Sequence, residues 1–367
     1  MKVVIAIGTR PQIIKSAPII HAANKFSDIN LEIVHTGQHY DYDMSRIFFN
    51  ELELPEPIVN LGIGSGSHAW QTGKMMIGLE KAFLELEPDV VLVPGDTNST
   101  LAAALSSVKL HIPVAHIEAG ARSYDMRMPE EINRRLTDHC SKLLFAVSEN
   151  CAKNLSKEGI PKESIIVSGD TMYESLQKHL PQMLMDNVLK DFRLFHEDYV
   201  VLTIHRPENV DEPQRLKAIV EAILGLKDLN IVFPCHPRTK VRLQETGLIE
   251  KISKDNNIIL VEPVGYHRML NLIKHAKIVF TDSGGMQKEA FWLKTPCITL
   301  RDKTEWVETV DLGFNILVGS NPSSIMEATA RVTRDEILRE QFSHVTNPYD
   351  VGGAADKILK VLYDSYS

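Results

Sequence analysis

The chain has 367 residues, 44% hydrophobic and 24% charged, an ordinary globular balance long enough for about two domains. A net charge of −8, a pI near 6.0 and ends without basic tails exclude a nucleic-acid footprint. The opening MKVVIAIG is too soon broken for a signal peptide and no apolar run reaches membrane-spanning length, so a cytoplasmic protein with no membrane partner is expected.

Apolar runs rich in Val and Ile recur between helical stretches: KVVIAIG, LEIVHTG, DVVLVPGD, PVAHIEAG, LLFAVS and IIVSGD. Strands that read as continuous apolar runs, separated by helices, predict a parallel sheet covered on both faces. A polar helical connection follows, roughly 171 to 197, and the pattern restarts with YVVLTIH, NIVFPCH, NIILVEP, KIVFTD and PCITL. The expected fold class is therefore α/β, with two Rossmann-like doubly wound domains, 1–170 and 171–349, facing across a cleft. The last segment, 350–367, reads as a terminal helix that could pack back on the first domain.

Ligands of open parallel sheets bind beyond the C-terminal strand ends, and those ends are polar here. The first strand runs into Gly8-Thr9-Arg10-Pro11, where Pro11 suits the first turn of a helix that places Arg10 at its mouth and Lys15 about one turn in. Two cations there favour an anion, and solvated surface charge is the alternative. Strand-end carboxylates come next: Asp96 in VPGDTNST, Glu118 in HIEAGARS, and Glu130 and Glu131 in MPEEINRR. Partial desolvation raises such groups toward the range useful for acid or base work. Asp96 could instead cap the following helix, and Glu130 could pair with Arg134 one turn on.

In the second half His205 and Arg206 end one strand, and His236 and Arg238 end the next, where they could hold a diphosphate and stabilise it as it leaves. The run FTDSGGMQKEA places Asp282, Ser283, Gly284 and Gly285 between a strand and a helix, where N–H groups and the helix dipole favour phosphate. An ordinary tight βα turn is the plain alternative. Only one glycine follows the first strand, so GxGxxG is missing and a nicotinamide cofactor loses support. GxxxxGK[ST], GxSxG, CxxC and HExxH are missing too, so no cofactor and no metal are expected. Of the four cysteines, Cys140, Cys151, Cys235 and Cys297, most read as buried thiols.

Taken in order, GTRPQIIK, GDTNST, HIEAGARS, MPEEINRRLTDH, HRPEN, the DSGG-x-Q-x-E block and RDKTE resemble the non-hydrolysing UDP-N-acetylglucosamine 2-epimerase family across nearly the whole chain. The resemblance implies a GT-B architecture, a homodimer, UDP and a UDP-sugar as partners, and an isomerase that needs no cofactor. It implies expulsion of UDP, loss of the C2 proton to give 2-acetamidoglucal, and return of UDP after protonation on the opposite face. Carried across by similarity, Asp96, Glu118, Glu130 and His205 become the catalytic candidates. Arg10, Lys15, Ser283, Gly284 and Gly285 are assigned to substrate or UDP, and Glu289 to the ribose hydroxyls.

The chain departs from the family in two places. Many members read TERPE after the RD pair, whereas this chain has Thr304-Glu305-Trp306-Val307-Glu308, a form similar to a branch that acts on UDP-2,3-diacetamido-2,3-dideoxy-glucuronic acid. Relatives regulated by a second UDP-N-acetylglucosamine carry a QHRE-type segment with a further glutamine; here Gln38-His39-Tyr40-Asp41 is followed by Ser45. A GT-B glycosyltransferase, a hydrolysing relative and a non-catalytic nucleotide-sugar-binding protein are the other readings, since fold alone does not decide function.

Overall fold

The computed structural model describes residues 1–38, 42–194, 199–334 and 344–366. The chain divides into two compact units, one of 1–178 with 348–367 and one of 179–347. Unit 1 holds a seven-stranded parallel sheet of β1 (Lys2–Ile7), β2 (Asn30–His35), β3 (Val59–Asn60), β4 (Val90–Pro94), β5 (Val114–Ala119), β6 (Leu143–Ala146) and β7 (Ile165–Val167). Its spatial order is β3-β2-β1-β4-β5-β6-β7. Unit 2 holds β8 (Tyr199–Thr203), β9 (Asn230–Pro234), β10 (Ile258–Val261), β11 (Ile278–Thr281), β12 (Cys297–Thr299) and β13 (Asn315–Leu317), ordered β10-β9-β8-β11-β12-β13.

These are the parallel α/β sheets expected from the apolar runs. Every residue of β4, β5, β8 and β11 is buried, as strands covered on both faces require. Two strands went unrecognised in the sequence, β3 and β13. Each lies at a sheet edge and spans only two or three residues, pairing Val34 with Val59 and Cys297 with Asn315, so no run long enough to signal a strand exists there.

In unit 1, Val4, Val34, Val91 and Val93 pack against Met75, Leu79 and Phe83 of the helix His68–Leu86. Ala102, Ala103 and Ala104 belong to the same cluster and let the helix Asn98–Lys109 lie close to the strands. In unit 2 the corresponding core joins Val200, Leu202, Phe233 and Phe280 to Leu216, Ile219 and Ile223 of the helix Pro213–Leu224.

The terminal helix Ala354–Tyr366 packs on the helix Arg10–Ala23. Ala355, Ile358, Leu359 and Leu362 are wholly buried in it. The Asp170 N–H donates to the Tyr349 carbonyl at 2.9 Å, and Lys357 Nζ donates to the Val167 carbonyl at 2.6 Å. Leu359→Ala is therefore expected to cost about 2–5 kcal/mol, read as a lower midpoint in denaturant unfolding. An unchanged midpoint would mean that unit 1 does not depend on this helix.

Candidate active site

Strand order reverses once in each sheet, between β1 and β4 in unit 1 and between β8 and β11 in unit 2. Crevices beyond the strand ends at such switch points are where ligands of open parallel sheets bind. Gly8 to Arg10 follow β1 and Gly95-Asp96 follow β4; His205 follows β8 and Asp282-Ser283 follow β11. The candidate residues thus sit at the switch point of each unit.

In unit 1 the turn after β1 is tied down by Gln12. Its Oε1 accepts from the Gly8 N–H at 2.9 Å, and its Nε2 donates to the Pro94 carbonyl and to Thr100 Oγ1, both at 3.0 Å. Pro11 stands in the first turn of the helix Arg10–Ala23, and the Arg10 guanidinium lies over the Phe48 ring at 5.0 Å. Lys15 turns inward, with Nζ 2.6 Å from Glu118 Oε1 and both side chains below one-tenth exposed. Lys15 is therefore the counter-charge of a strand-end carboxylate, not solvated surface charge.

Glu118 has a φ of +71°, a left-handed conformation that costs a residue with a side chain roughly 1–3 kcal/mol. It lies where the β5–β6 register shifts between Ile117 and Ala119. The twist that aims its carboxylate at Lys15 is thus a local break in the strand, held by the surrounding packing. Gly95 faces the same pair: its φ is +71°, and a Cβ there would lie 3.4 Å from Lys15 Nζ.

Asp96 does not cap the next helix. Thr97 does, accepting from the Thr100 N–H in a capping box, which leaves Asp96 to pair with Arg134 at 2.7 Å. Burial pushes the Asp96 carboxyl above the usual range, with Glu130 and Glu118 adding to the rise while Arg134 and Lys15 oppose it. Glu130 is half-buried, in the first turn of the helix Pro129–Cys140. Its neighbour Glu131 is fully buried and accepts from the Ser123 N–H at 2.9 Å and from Arg134 at 3.0 Å. Burial alone would raise Glu131, but Arg134 and these bonds hold it below the usual carboxylate range. Glu131 is thus a structural anion that fixes Arg134, and Asn133 completes the floor by donating to the Asp96 carbonyl at 3.0 Å.

In unit 2, Asp282 is the hub. It accepts from the His205 N–H at 3.0 Å, the Arg206 N–H at 3.0 Å and Asn209 Nδ2 at 3.1 Å, and lies 3.1 Å from His205 Nδ1. Against the upward push of burial, His205 and these donors hold its carboxyl below the usual range. Ser283 caps the helix Gly284–Trp292, while Ser283 and Gly285 remain partly exposed at its N-terminus. Gly284 cannot carry a side chain, because a Cβ would come within 2.3 Å of Glu305 Oε1. Arg301 holds that carboxylate at 2.8 Å. Glu289 is buried one turn along the helix. Trp306 carries a cation against its ring: Lys288 Nζ lies 3.9 Å from the ring centroid.

The sequence reading missed the holding roles of Glu131, Asn133, Asp282 and the Arg301–Glu305 pair. Burial pushes the thiols of Cys235 to about 11 and Cys297 to about 12, so neither is a nucleophile at neutral pH. His39, Tyr40 and Asp41 lie outside the described residues, as does the side chain of Ser45. Among the described residues no helix is long and apolar enough to cross a membrane.

Residues 21–363 match the family model described as UDP-N-acetylglucosamine 2-epimerase. A UDP-N-acetylglucosamine 2-epimerase of Methanocaldococcus jannaschii is 48% identical over 100% of both chains. A UDP-2,3-diacetamido-2,3-dideoxy-D-glucuronate 2-epimerase of Pseudomonas aeruginosa is 41% identical over 99% of each. The crystal structure of the Methanocaldococcus jannaschii UDP-GlcNAc 2-epimerase in complex with UDP-GlcNAc and UDP is similar with a TM-score of 0.93, covering 99% of this chain and 100% of that one at 48% identity.

The raised Asp96 carboxyl sets a test of its environment. A group whose folded value lies above its unfolded one lowers stability as pH rises from the ordinary carboxylate value through the folded value. Asp96→Asn has no charge to bury, so it should melt at a higher temperature than the parent at neutral pH. The gap should close below about pH 4, where both forms of the aspartate are neutral. A lower melting temperature for the variant at neutral pH would contradict the assignment.

Proposed function

The chain belongs to the UDP-N-acetylglucosamine 2-epimerase family, and from this premise we propose that it interconverts UDP-N-acetylglucosamine and UDP-N-acetylmannosamine. It is an isomerase, acting by elimination and re-addition of UDP through 2-acetamidoglucal, and we place it in the cytoplasm, supplying a precursor for polysaccharide or glycan synthesis. The observation that carries the reading is that Glu118 and Glu130 both stand near enough to Asp96 to act on its carboxyl, at one switch point.

The C2 hydrogen of an N-acetylhexosamine is not acidic, so the C1–O bond has to weaken first. As that bond breaks, its electron pair leaves on the β-phosphate oxygen, a carboxylate takes the C2 proton, and a C1–C2 double bond forms. Reprotonation of C2 from the opposite face and return of the phosphate oxygen to C1 give the epimer. Glu118, with an ammonium at 2.6 Å to favour its ionised form, is available to take a proton. Asp96, pushed upward by burial, is suited to hold one, and Glu130 is the third candidate. Arg10, Lys15, His205 and the Ser283, Gly284 and Gly285 turn are assigned to substrate and diphosphate, and Glu289 to the ribose. His205, oriented by Asp282 through Nδ1, would present Nε2 to the leaving group.

Asp96→Asn, Glu118→Gln and Glu130→Gln should each keep UDP affinity while losing about 10²–10⁴-fold in kcat. The assay is deuterium entry at C2 in deuterated water, run in parallel with UDP-N-acetylglucosamine and its 2,3-diacetamido uronate analogue. Label in the uronate alone would move the assignment to the substrate of the Pseudomonas aeruginosa relative. Label in neither, or steady accumulation of free UDP, would refute an epimerase of either kind.

The active form is proposed to be a homodimer. Trp70, Ile77 and Leu84 recur along the helix His68–Leu86 at exposures of 47%, 68% and 61%, and the neighbouring helix Pro129–Cys140 exposes Ile132 and Leu136. An apolar stripe of this kind marks a protein contact. Light scattering should give twice the chain mass of 41.3 kDa, and Ile77→Glu should shift it to a single chain. A parent mass of one chain would remove the dimer.

A further inference from the structure

His116 lies two residues before Glu118 in β5 and is fully buried. Its Nδ1 is 2.6 Å from Asp138 Oδ1, and its Nε2 is 2.7 Å from the Gly95 carbonyl oxygen. A carbonyl can only accept. Against the upward push of burial, His116 and Arg122 hold the Asp138 carboxyl below the usual carboxylate range. The ring thus bridges a carbonyl, to which Nε2 donates, and a carboxylate beside Nδ1. Asp138 Oδ2 accepts from the Gly120 N–H at 3.2 Å and pairs with Arg122 at 2.6 Å, and Arg122 pairs with Glu158 at 2.7 Å. His116, Asp138, Arg122 and Glu158 thus form one connected polar series that is buried or nearly buried.

The backbone atoms this line touches belong to two turns. Gly95, at φ +71°, immediately precedes Asp96, and Gly120, at φ +80°, closes the turn that carries Glu118. His116 fixes the first turn through its carbonyl, and Asp138 fixes the second through its N–H. We propose that His116 and Asp138 act as a positioning pair for the reaction, setting where Asp96 and Glu118 stand relative to each other.

Burying an ion pair gains little stability over an apolar pair of the same shape, but a fully satisfied polar network admits one arrangement where apolar contacts admit several. The two acids stand on left-handed or glycine-preceded backbone that could relax by ångströms without the tether, and misplacement on that scale costs about 10²-fold in rate. The inference rests on the reading of Asp96 and Glu118 as proton-transfer groups.

The test uses two near-isosteres on the full-length protein. His116→Gln keeps an N–H donor near the Nε2 position, facing Gly95, and loses the bond to Asp138. His116→Asn keeps a donor near Nδ1, facing Asp138, and loses the bond to Gly95. His116→Asn should lower kcat about 10²-fold with KM and UDP affinity unchanged, and His116→Gln should recover most of that loss. In the unaltered protein, nitrogen NMR of labelled histidine should show His116 Nε2 protonated, as its bond to the Gly95 carbonyl requires. That measurement stands even where a variant does not fold. An unprotonated Nε2, or variants that melt earlier yet keep the parental kcat, would overturn the inference. Asp96→Asn and Glu118→Gln run alongside: parental rates in those two would sink the underlying reading, whereas slow rates there with a fast His116→Asn would sink this inference alone.

Discussion

A carboxylate can stay ionised at the buried end of a parallel strand only where a cation or several N–H donors stand against it, and the Lys15–Glu118 pair meets that condition in unit 1. Much of the local architecture follows from it. The turn after β1 has to bring Lys15 inward, so Gln12 pins that turn to Pro94 and Thr100. The end of β5 has to rotate Glu118 toward the ammonium, so the strand breaks register and accepts a left-handed residue. Gly95 lies against the pair in a left-handed conformation that favours glycine. Arg134 plays the same part for two further acids, shared between Asp96 and Glu131.

The two units repeat one strand order with different chemistry. Unit 1 meets its switch point with acids balanced by Lys15 and Arg134, whereas unit 2 meets its own with N–H groups and an imidazole. The contrast is clearest in two aspartates just beyond the matching strands β4 and β11. Asp282 collects the N–H groups of His205 and Arg206, which favour its charge, and its carboxyl is held low. Asp96 is partly buried beside other acids, and its carboxyl is pushed above the usual range. One residue type at one topological address is thus biased toward the anion in the first case and toward the neutral acid in the second.

Much of this was legible in the residues. Continuous Val and Ile runs gave the parallel sheets because a strand covered on both faces has no polar alternation to hide. Polar clusters just after those runs located the strand ends. What stayed hidden depended on partners far apart in the chain. Nothing local distinguishes Glu131 from Glu130, yet one is wholly buried under Ser123 and Arg134 and the other is half-buried. Asp96 looked like a helix cap until Thr97 took that place through Thr100. His116 sits in an apolar run where a ring could pass for core, and its role rests on Asp138 and Gly95, each about twenty residues away along the chain.

The terminal helix Ala354–Tyr366 has a consequence for the order in which the protein is made. The residues of unit 2 are contiguous and are all made before the last cover of unit 1. Until that cover is added, the apolar face of the helix Arg10–Ala23 that the terminal helix will bury stays open to water. The half of the chain that emerges first is thus the half that matures last, and a chain released short of residue 354 would expose a sticky, incomplete first unit.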